Sequence, residues 1–276
     1  MIDTYTHSTN EDVVRLIQIT DPHLFNDENG ELLGINTQAS FNQVLEEIKQ
    51  SEFNYDLVLA TGDLVQDSSN EGYLRFCQSV QKLGKTVFWI PGNHDFQPKM
   101  FEILNHNNGQ LSPAKHLLLG EHWQIIMLDS QVSGAPHGQL EPAQLDFLVE
   151  KLKAYPQRYA LIVLHHHILS TNSAWLDQHN LRNAIDLANV LLPFKNVKGI
   201  LYGHIHQAVD SQWQGYQVMA TPSTSIQFKS DSNTFALDTL QPGWRELELY
   251  ADGQIKTRVK RITQKQFLPN MLSEGY

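Results

Sequence analysis

The chain has 276 residues, a net charge of −10 and one cysteine, and these properties exclude several classes of protein. An acidic chain is poorly suited to binding nucleic acid or an anionic membrane surface. No apolar run approaches the ~20 residues of a membrane-spanning helix, so a membrane protein is not expected. Because Cys77 has no partner for an internal disulfide and the polar first residues do not resemble a signal peptide, we predict a cytoplasmic location.

The length and composition are typical of one large domain with a sizeable core. Hydrophobic residues make up 41% of the chain, which contains no low-complexity run and no evident repeat. We therefore predict a single domain over residues 1–276, with its core at about 13–262 and a C-terminal tail at 263–276. The sequence pattern makes no prediction of the oligomeric state.

Hydrophobic periodicity predicts that strands and helices alternate over the first two thirds of the chain. The predicted strands are residues 13–20, 56–61, 86–90, 123–128, 159–164 and 197–202. The predicted helices are residues 41–48, 69–83, 97–105, 141–155 and 181–192. Such alternation implies parallel strand pairing with right-handed crossovers. The last third instead predicts pairs of strands, at residues 209–213, 216–220, 235–240, 244–250 and 255–262.

Five of the predicted strands end in side chains that can coordinate a metal or carry a proton. They are Asp21 with His23, Asp63, Asn93 with His94, His165, and His204 with His206. One such strand end is more often a satisfied turn residue, but five in one sheet are hard to explain that way. Imidazole and carboxylate ligands suit iron, manganese or zinc, and the absence of thiolates argues against a structural zinc site. Because the number of candidate ligands exceeds the needs of one ion, we predict two ions that share a carboxylate.

The order of these residues resembles the five motifs of the calcineurin-like metallophosphoesterases. The motifs are Asp21-x-His23, Gly62-Asp63, Gly92-Asn93-His94-Asp95, His165 and Gly203-His204-x-His206. Further stretches make the chain similar, over its full length, to the bacterial class III 3′,5′-cyclic-AMP phosphodiesterases of that superfamily. The resemblance implies a four-layer αββα fold of the α/β class, in which helices flank two packed mixed sheets.

The resemblance also implies a role for each motif residue. One metal would bind Asp21, His23 and His206, the other would bind Asn93, His165 and His204, and Asp63 would bridge both. Two divalent or trivalent ions are implied, foremost iron and manganese, with zinc, magnesium and cobalt as alternatives. His166 and His167 are expected to support the site or to pack. Asp95 is expected either to orient His94 or to cap the helix that starts near Phe96.

The implied reaction is hydrolysis of 3′,5′-cyclic AMP to 5′-AMP, which would lower cellular cyclic AMP. A hydroxide that bridges the metals would attack phosphorus while His94 assists the leaving 3′-oxygen. The predicted catalytic residues are His94 and Asp63, and the predicted substrate-binding residues are His23, Asp63, Asn93, His94 and His206. The alternative is a phosphomonoesterase or another cyclic-nucleotide phosphodiesterase with the same metal site. A scaffold without catalysis is disfavoured, because the chain retains all seven implied ligands and His94.

The residues that recognise the base are less evident. Trp175, Phe228 and Trp244 are candidates to stack on adenine, although aromatic side chains more often belong to a core. His179 and Asn180 follow the His165 motif in the chain, and they are candidates to face the substrate.

Overall fold

The computed structural model describes residues 4–107 and 109–275, which form two large β-sheets with helices on their outer faces. The strands in this part of the chain are β1 (Thr4–His7), β2 (Val13–Ile19), β3 (Glu31–Leu32), β4 (Ile35–Asn36), β5 (Leu57–Ala60), β6 (Thr86–Trp89), β7 (Leu111–Ser112), β8 (His116–Leu119), β9 (Trp123–Met127), β10 (Tyr159–Val163), β11 (Val197–Tyr202), β12 (Val209–Trp213), β13 (Tyr216–Ala220), β14 (Gln227–Phe228), β15 (Leu237–Asp238), β16 (Gly243–Tyr250) and β17 (Ile255–Arg261). The α-helices are α1 (Thr37–Gln50), α2 (Asn70–Val80), α3 (Gln97–His106), α4 (Pro142–Ala154) and α5 (Ala184–Leu191).

Both large sheets are mixed. The seven-stranded sheet has the order β1-β8-β9-β10-β11-β13-β12, and the six-stranded sheet has the order β17-β16-β2-β5-β6-β7. The strands that alternate with helices pair in parallel, as β2, β5 and β6 do in one sheet and β9, β10 and β11 in the other. The hairpins β12–β13 and β16–β17 are antiparallel, as their two-residue turn signals predict.

Three clusters of buried apolar side chains separate the structure into four layers. The first lies between the six-stranded sheet and helices α1, α2 and α3, and it includes Phe41 and Val58. The second lies between the seven-stranded sheet and helices α4 and α5, and it includes Leu187. The third joins the two sheets and includes Leu59 and Leu161. Since neighbouring residues of a strand point to opposite faces, Val58 and Leu59 of β5 serve different clusters. The predicted fold of two packed mixed sheets between helices is confirmed.

The structure differs from the sequence prediction mainly at short strands. Strand β1 was missed because its four residues are mostly polar, and they become a strand only by pairing with β8 far along the chain. The strand predicted at residues 235–240 is wrong beyond Leu237–Asp238, because Asp238 turns the chain by accepting a hydrogen bond from the Leu240 N–H.

The described C-terminal residues pack against the domain. Phe267 contacts both helix–sheet clusters, and its N–H donates to the side chain of Gln241 at 3.2 Å. The N–H of Asn270 donates to the carbonyl of Leu33 at 2.7 Å. In the described residues, no helix has the length and apolar character needed to cross a bilayer.

Candidate metal centre

The C-terminal ends of strands from both sheets meet at one place, where the predicted ligands lie together. Within the six-stranded sheet, the N–H of Asp21 donates to the carbonyl of Gly62 at 3.0 Å, which continues the pairing of β2 and β5 past their ends. The N–H of His204 donates to Asp21 Oδ2 at 3.0 Å and so joins the two sheets. Through these two hydrogen bonds, Asp21 is connected both to the loop after β5 and to the loop after β11.

Strained backbone is concentrated at the same place. The positive φ angles are 53° at Asp21, 49° at His23, 51° at Asp63, 67° at His204 and 51° at His206. A residue with a Cβ atom pays about 1–3 kcal/mol for such a conformation, and proteins retain it chiefly at functional sites. At each position, the turn lets a side chain leave the end of its strand towards the common centre.

Two groups of buried side chains each have ligand atoms within 4.8 Å of one another. The first group is Asp21, His23 and His206, and the second group is Asp63, His165 and His204. Asn93 adjoins the second group, because its Oδ1 lies 3.3 Å from His165 Nε2. All seven side chains that the resemblance implies as ligands therefore lie close together at this end of the sheets.

Asp63 contacts both groups. Its Oδ2 lies 3.3 Å from His165 Nε2 and 3.8 Å from His23 Nε2, and these two histidines belong to different groups. Its Oδ1 accepts a hydrogen bond from the backbone N–H of His94 at 2.8 Å. One carboxylate oxygen is thus engaged by the protein, and the other faces the space between the groups.

Hydrogen bonds to backbone carbonyls orient the imidazole rings. The Nδ1 of His206 lies 3.0 Å from the Ile226 carbonyl, and the Nδ1 of His165 lies 2.7 Å from the Thr61 carbonyl. Since a carbonyl can only accept, each Nδ1 carries a proton, and Nε2 is directed towards the centre. Such a bond fixes the tautomer and orientation of a ring that coordinates a metal.

The donor atoms of the first group are arranged as expected for a bound metal ion. The Nε2 atoms of His23 and His206 face each other at 3.2 Å, and Nδ1 of His23 is bound to Gln66 Oε1 at 2.6 Å. Burial lowers the pKa of His23 to about 3, which leaves the ring neutral at pH 7. The buried Asp21 Oδ1 accepts no hydrogen bond and lies 3.3 Å from His206 Nε2. Two imidazole nitrogens and a carboxylate oxygen so close together are costly to bury unless a cation joins them.

The second group shows the charge pattern of a cation site. Burial raises the pKa of Asp63, but its electrostatic interactions with the neighbouring histidines, foremost His165, outweigh burial and hold that pKa well below its usual value. Burial lowers the pKa of His165, but the carboxylate of Asp63 outweighs it and raises the pKa to about 9. Without an ion, His165 therefore carries a proton beside Asp63, and a metal that binds there must displace that proton.

His94 lies beside both groups without belonging to either. A third set of close ligand atoms consists of His23, Asp63 and His94, and the ring of His94 lies 5.0 Å from that of His23. His94 also lines two cavities that open next to the centre. Its ring can therefore reach both the metal groups and a ligand in either cavity.

Of the two roles suggested for Asp95, the structure excludes one, and the orientation of His94 stays a prediction. The N-cap of α3 is Phe96, without a side-chain cap, so the prediction that Asp95 caps this helix is wrong. Its carboxylate instead accepts hydrogen bonds from the N–H of Gly92 at 2.9 Å, the N–H of Leu64 at 3.1 Å and the hydroxyl of Tyr73 at 3.2 Å. These bonds join the turn after β6 to the loop after β5. Burial raises the pKa of Asp95 to about 7.

Sequence reasoning missed Gln131, which supports the same turn. Its Nε2 donates to the carbonyls of Gly92 and Asp95 at 2.5 and 2.6 Å. The sequence contained a signal for Gln131, because Asp129 and Gln131 are polar residues just after the end of β9. This strand ends beside the strands that carry the candidate ligands. His166 and His167 lie outside the two groups: His166 Nδ1 is 2.8 Å from the hydroxyl of Ser130.

A comparison with known proteins assigns this architecture and site to a class. The sequence model of the calcineurin-like phosphoesterases matches residues 14–208, which contain the five motifs. The chain therefore belongs to the calcineurin-like phosphoesterase family. It is 65% identical over 276 residues, all of both chains, to the 3′,5′-cyclic adenosine monophosphate phosphodiesterase CpdA of Haemophilus influenzae. It is 49% identical over 263 residues, 95% of each chain, to CpdA of Escherichia coli K12.

The fold is also shared with a more distant protein. The crystal structure of a dimetal phosphatase from Danio rerio superposes on this chain with a TM-score of 0.61. The superposed region covers 92% of this chain and 100% of the phosphatase chain. The two chains are 15% identical, so this likeness concerns the fold alone.

Close packing at Gly92 gives a test of the centre. A Cβ atom at this position would lie 2.2 Å from Asp63 Oδ1 and 2.3 Å from the Asp63 backbone nitrogen. We expect Gly92→Ala to displace Asp63 and to lower kcat/KM for phosphoester hydrolysis about 100-fold, because a shift of about 1 Å in an active site has an effect of that size. Steady-state kinetics would measure the loss of activity, and metal analysis by mass spectrometry would show whether the displaced Asp63 still binds metal. Gly109→Ala is the control, because its Cβ meets only the flexible Gln81 amide, at 3.0 Å. Equal activity of the two variants would contradict the prediction.

Proposed function

We propose that the protein hydrolyses 3′,5′-cyclic AMP to 5′-AMP and so lowers cellular cyclic AMP. The observation that carries the proposal is the position of Asp63 between two groups of metal-ligand side chains, with His94 beside them. The CpdA proteins that match the chain at 65% and 49% identity support cyclic AMP as the substrate.

The proposal includes two metal ions, of which iron and manganese are the first candidates. The first ion would be held by Asp21, His23 and His206, the second by Asn93, His165 and His204, and Asp63 would contact both. When bound, such a pair lowers the pKa of water and neutralises charge on a phosphate. The donor set of imidazole nitrogen with carboxylate and amide oxygen suits borderline metals, so zinc and cobalt, and magnesium more weakly, are alternatives.

The remaining chemistry belongs to the side chains. Cleavage of the P–O3′ bond leaves an alkoxide, which departs readily only if it receives a proton. We assign this proton to the ring of His94. Asp63 supports the assignment, because its Oδ1 accepts the His94 backbone N–H and holds the turn in place. The phosphate would contact His23, Asp63, Asn93, His94 and His206.

A cytoplasmic location is part of the proposal. Cys77 is a free thiol buried in α2, where it packs among apolar side chains of the first cluster. Because the chain has a single cysteine, it can form no internal disulfide, and disulfides are rare in proteins of the reducing cytoplasm.

A comparison of substrates tests the proposal. We expect the metal-loaded protein to hydrolyse cyclic AMP with a kcat/KM at least about tenfold above that for p-nitrophenyl phosphate, because the cavity that Asn93 and His94 line has room for a nucleoside beside the phosphate. Cyclic GMP and 2′,3′-cyclic AMP, assayed beside it, would measure the selectivity for base and phosphate position. A preference for the simple monoester would contradict the proposal and favour a phosphomonoesterase.

A further inference from the structure

A cavity of about 480 Å³ adjoins the metal groups and has an aromatic wall. It is lined by two predicted ligands, Asn93 and His204, and by Trp175, Phe228 and Phe235. Its volume falls in the range of about 300–1,000 Å³ that is usual for small-molecule sites. A ligand bound at the metal groups therefore has room to extend along the aromatic wall.

The three aromatic rings pack against one another. The ring of Trp175 meets that of Phe228 edge to face, with centroids 5.0 Å apart, and meets that of Phe235 in the same way at 5.1 Å. Phe228 is only 2% exposed, and its ring stacks on the predicted ligand His206 at 4.3 Å. Phe228 thus supports the wall from behind, while the half-buried Trp175 and Phe235 present surface to the cavity.

The loop that carries Trp175 is also connected to the second metal group. The Nε2 of His204 donates to the carbonyl of His179 at 3.1 Å, and the ring of His179 lines the same cavity. The rings of His179 and Trp175 meet at right angles, 6.3 Å apart. The aromatic wall therefore has a defined position relative to the metal groups, and His179 adds a polar edge to it.

The charges of the cavity indicate which part of a ligand it accepts. Among the described residues that line it, none is a lysine or an arginine. The anionic phosphate of a ligand would therefore lie at the metal groups, and the aromatic wall suits a flat, uncharged group. Trp244, which the sequence also offered as a base contact, lies instead in the core beneath α1 and α2.

We propose that this cavity binds the base of the nucleotide, with Trp175 and Phe235 as the residues that contact its ring. His179 would then present a ring nitrogen to the polar edge of the base. This inference rests on the proposed function and adds the residues that determine specificity. Stacking of one base on an aromatic side chain typically changes affinity about tenfold.

The test compares cyclic AMP with a substrate that lacks the base. The 3,5-cyclic phosphate of 1,4-anhydroribitol retains the sugar and the phosphodiester. We expect the wild-type kcat/KM to be about tenfold higher for cyclic AMP, and Trp175→Leu to remove this difference by raising the KM for cyclic AMP alone. Phe235→Leu is a second variant with the same expected pattern. Equal losses on both substrates, or no loss on either, would overturn the inference.

A control and a binding measurement complete the test. Trp213→Leu makes the same change at a half-buried tryptophan of β12 that does not line the cavity, and it should retain the wild-type preference. Calorimetric titration with 5′-AMP should show about tenfold weaker binding to the Trp175 variant at unchanged metal content. If the wild type hydrolyses both cyclic phosphates equally, only the base site is wrong. If it hydrolyses neither, the proposed function is wrong.

Discussion

Replacement of His94 with alanine is expected to lower kcat for cyclic AMP about 10²–10⁴-fold while the protein retains both metal ions. The loss should be large because the ring supplies the proton that the 3′-oxygen needs. The metal site should survive, since the backbone N–H of His94, rather than its ring, donates to Asp63 Oδ1. Steady-state kinetics and metal analysis on the same preparation would measure both quantities.

The choice of leaving group sharpens this experiment. Bis(p-nitrophenyl) phosphate releases p-nitrophenolate, which departs without a proton, so the His94 variant should lose much less activity on it. His106→Ala removes an exposed histidine at the end of α3, outside the metal groups, and should behave as wild type. An unchanged kcat, or loss of both metals, would contradict the predicted role of His94.

Replacement of Asp63 with asparagine is expected to weaken metal binding at both positions by at least about 100-fold. The change removes charge and leaves the shape, because an asparagine oxygen can still accept the His94 N–H. It acts on both groups since Oδ2 lies 3.3 Å from His165 Nε2 and 3.8 Å from His23 Nε2. Metal content after dialysis, followed by titration with manganese, would measure the effect.

Asp27→Asn is the matched control for this variant, because Asp27 is an exposed carboxylate in the loop after β2. It should bind as much metal as the wild type. The shared position of Asp63 would be refuted if its variant lost one ion and bound the other with unchanged affinity. A loss at both positions together with lost activity is the outcome that the geometry predicts.

Much of the fold was predictable because its signals are local. The run from Leu57 to Ala60 is apolar at every position, which suits a strand covered on both faces, and the structure buries all four residues. The hairpin between β16 and β17 follows from Asp252 and Gly253, since these residues favour a tight turn. Strand β1 lacks a comparable signal, because Thr4 pairs with His116 and that contact cannot be read from four mostly polar residues.

The supporting interactions of the site were not predictable for the same reason. Asp95 stands next to His94 in the chain, yet its carboxylate binds the N–H of Leu64, 31 residues away. Phe235 has no signal in its own segment, and it becomes a wall of the cavity only because the loop with Trp175 folds over it. Such contacts depend on how distant segments pack. Residue patterns describe only neighbours along the chain, so they cannot predict these contacts.

The sequence by itself determined which chemical groups stand at the ends of five strands, because apolar runs and the glycine or proline after them are local features. Only the tertiary structure decided which of those groups meet. His23 and His206 are 183 residues apart, and the packing of two sheets brings their Nε2 atoms to 3.2 Å. The same packing places the aromatic wall beside the metal groups, since β10 and β11 end where β2 and β5 end.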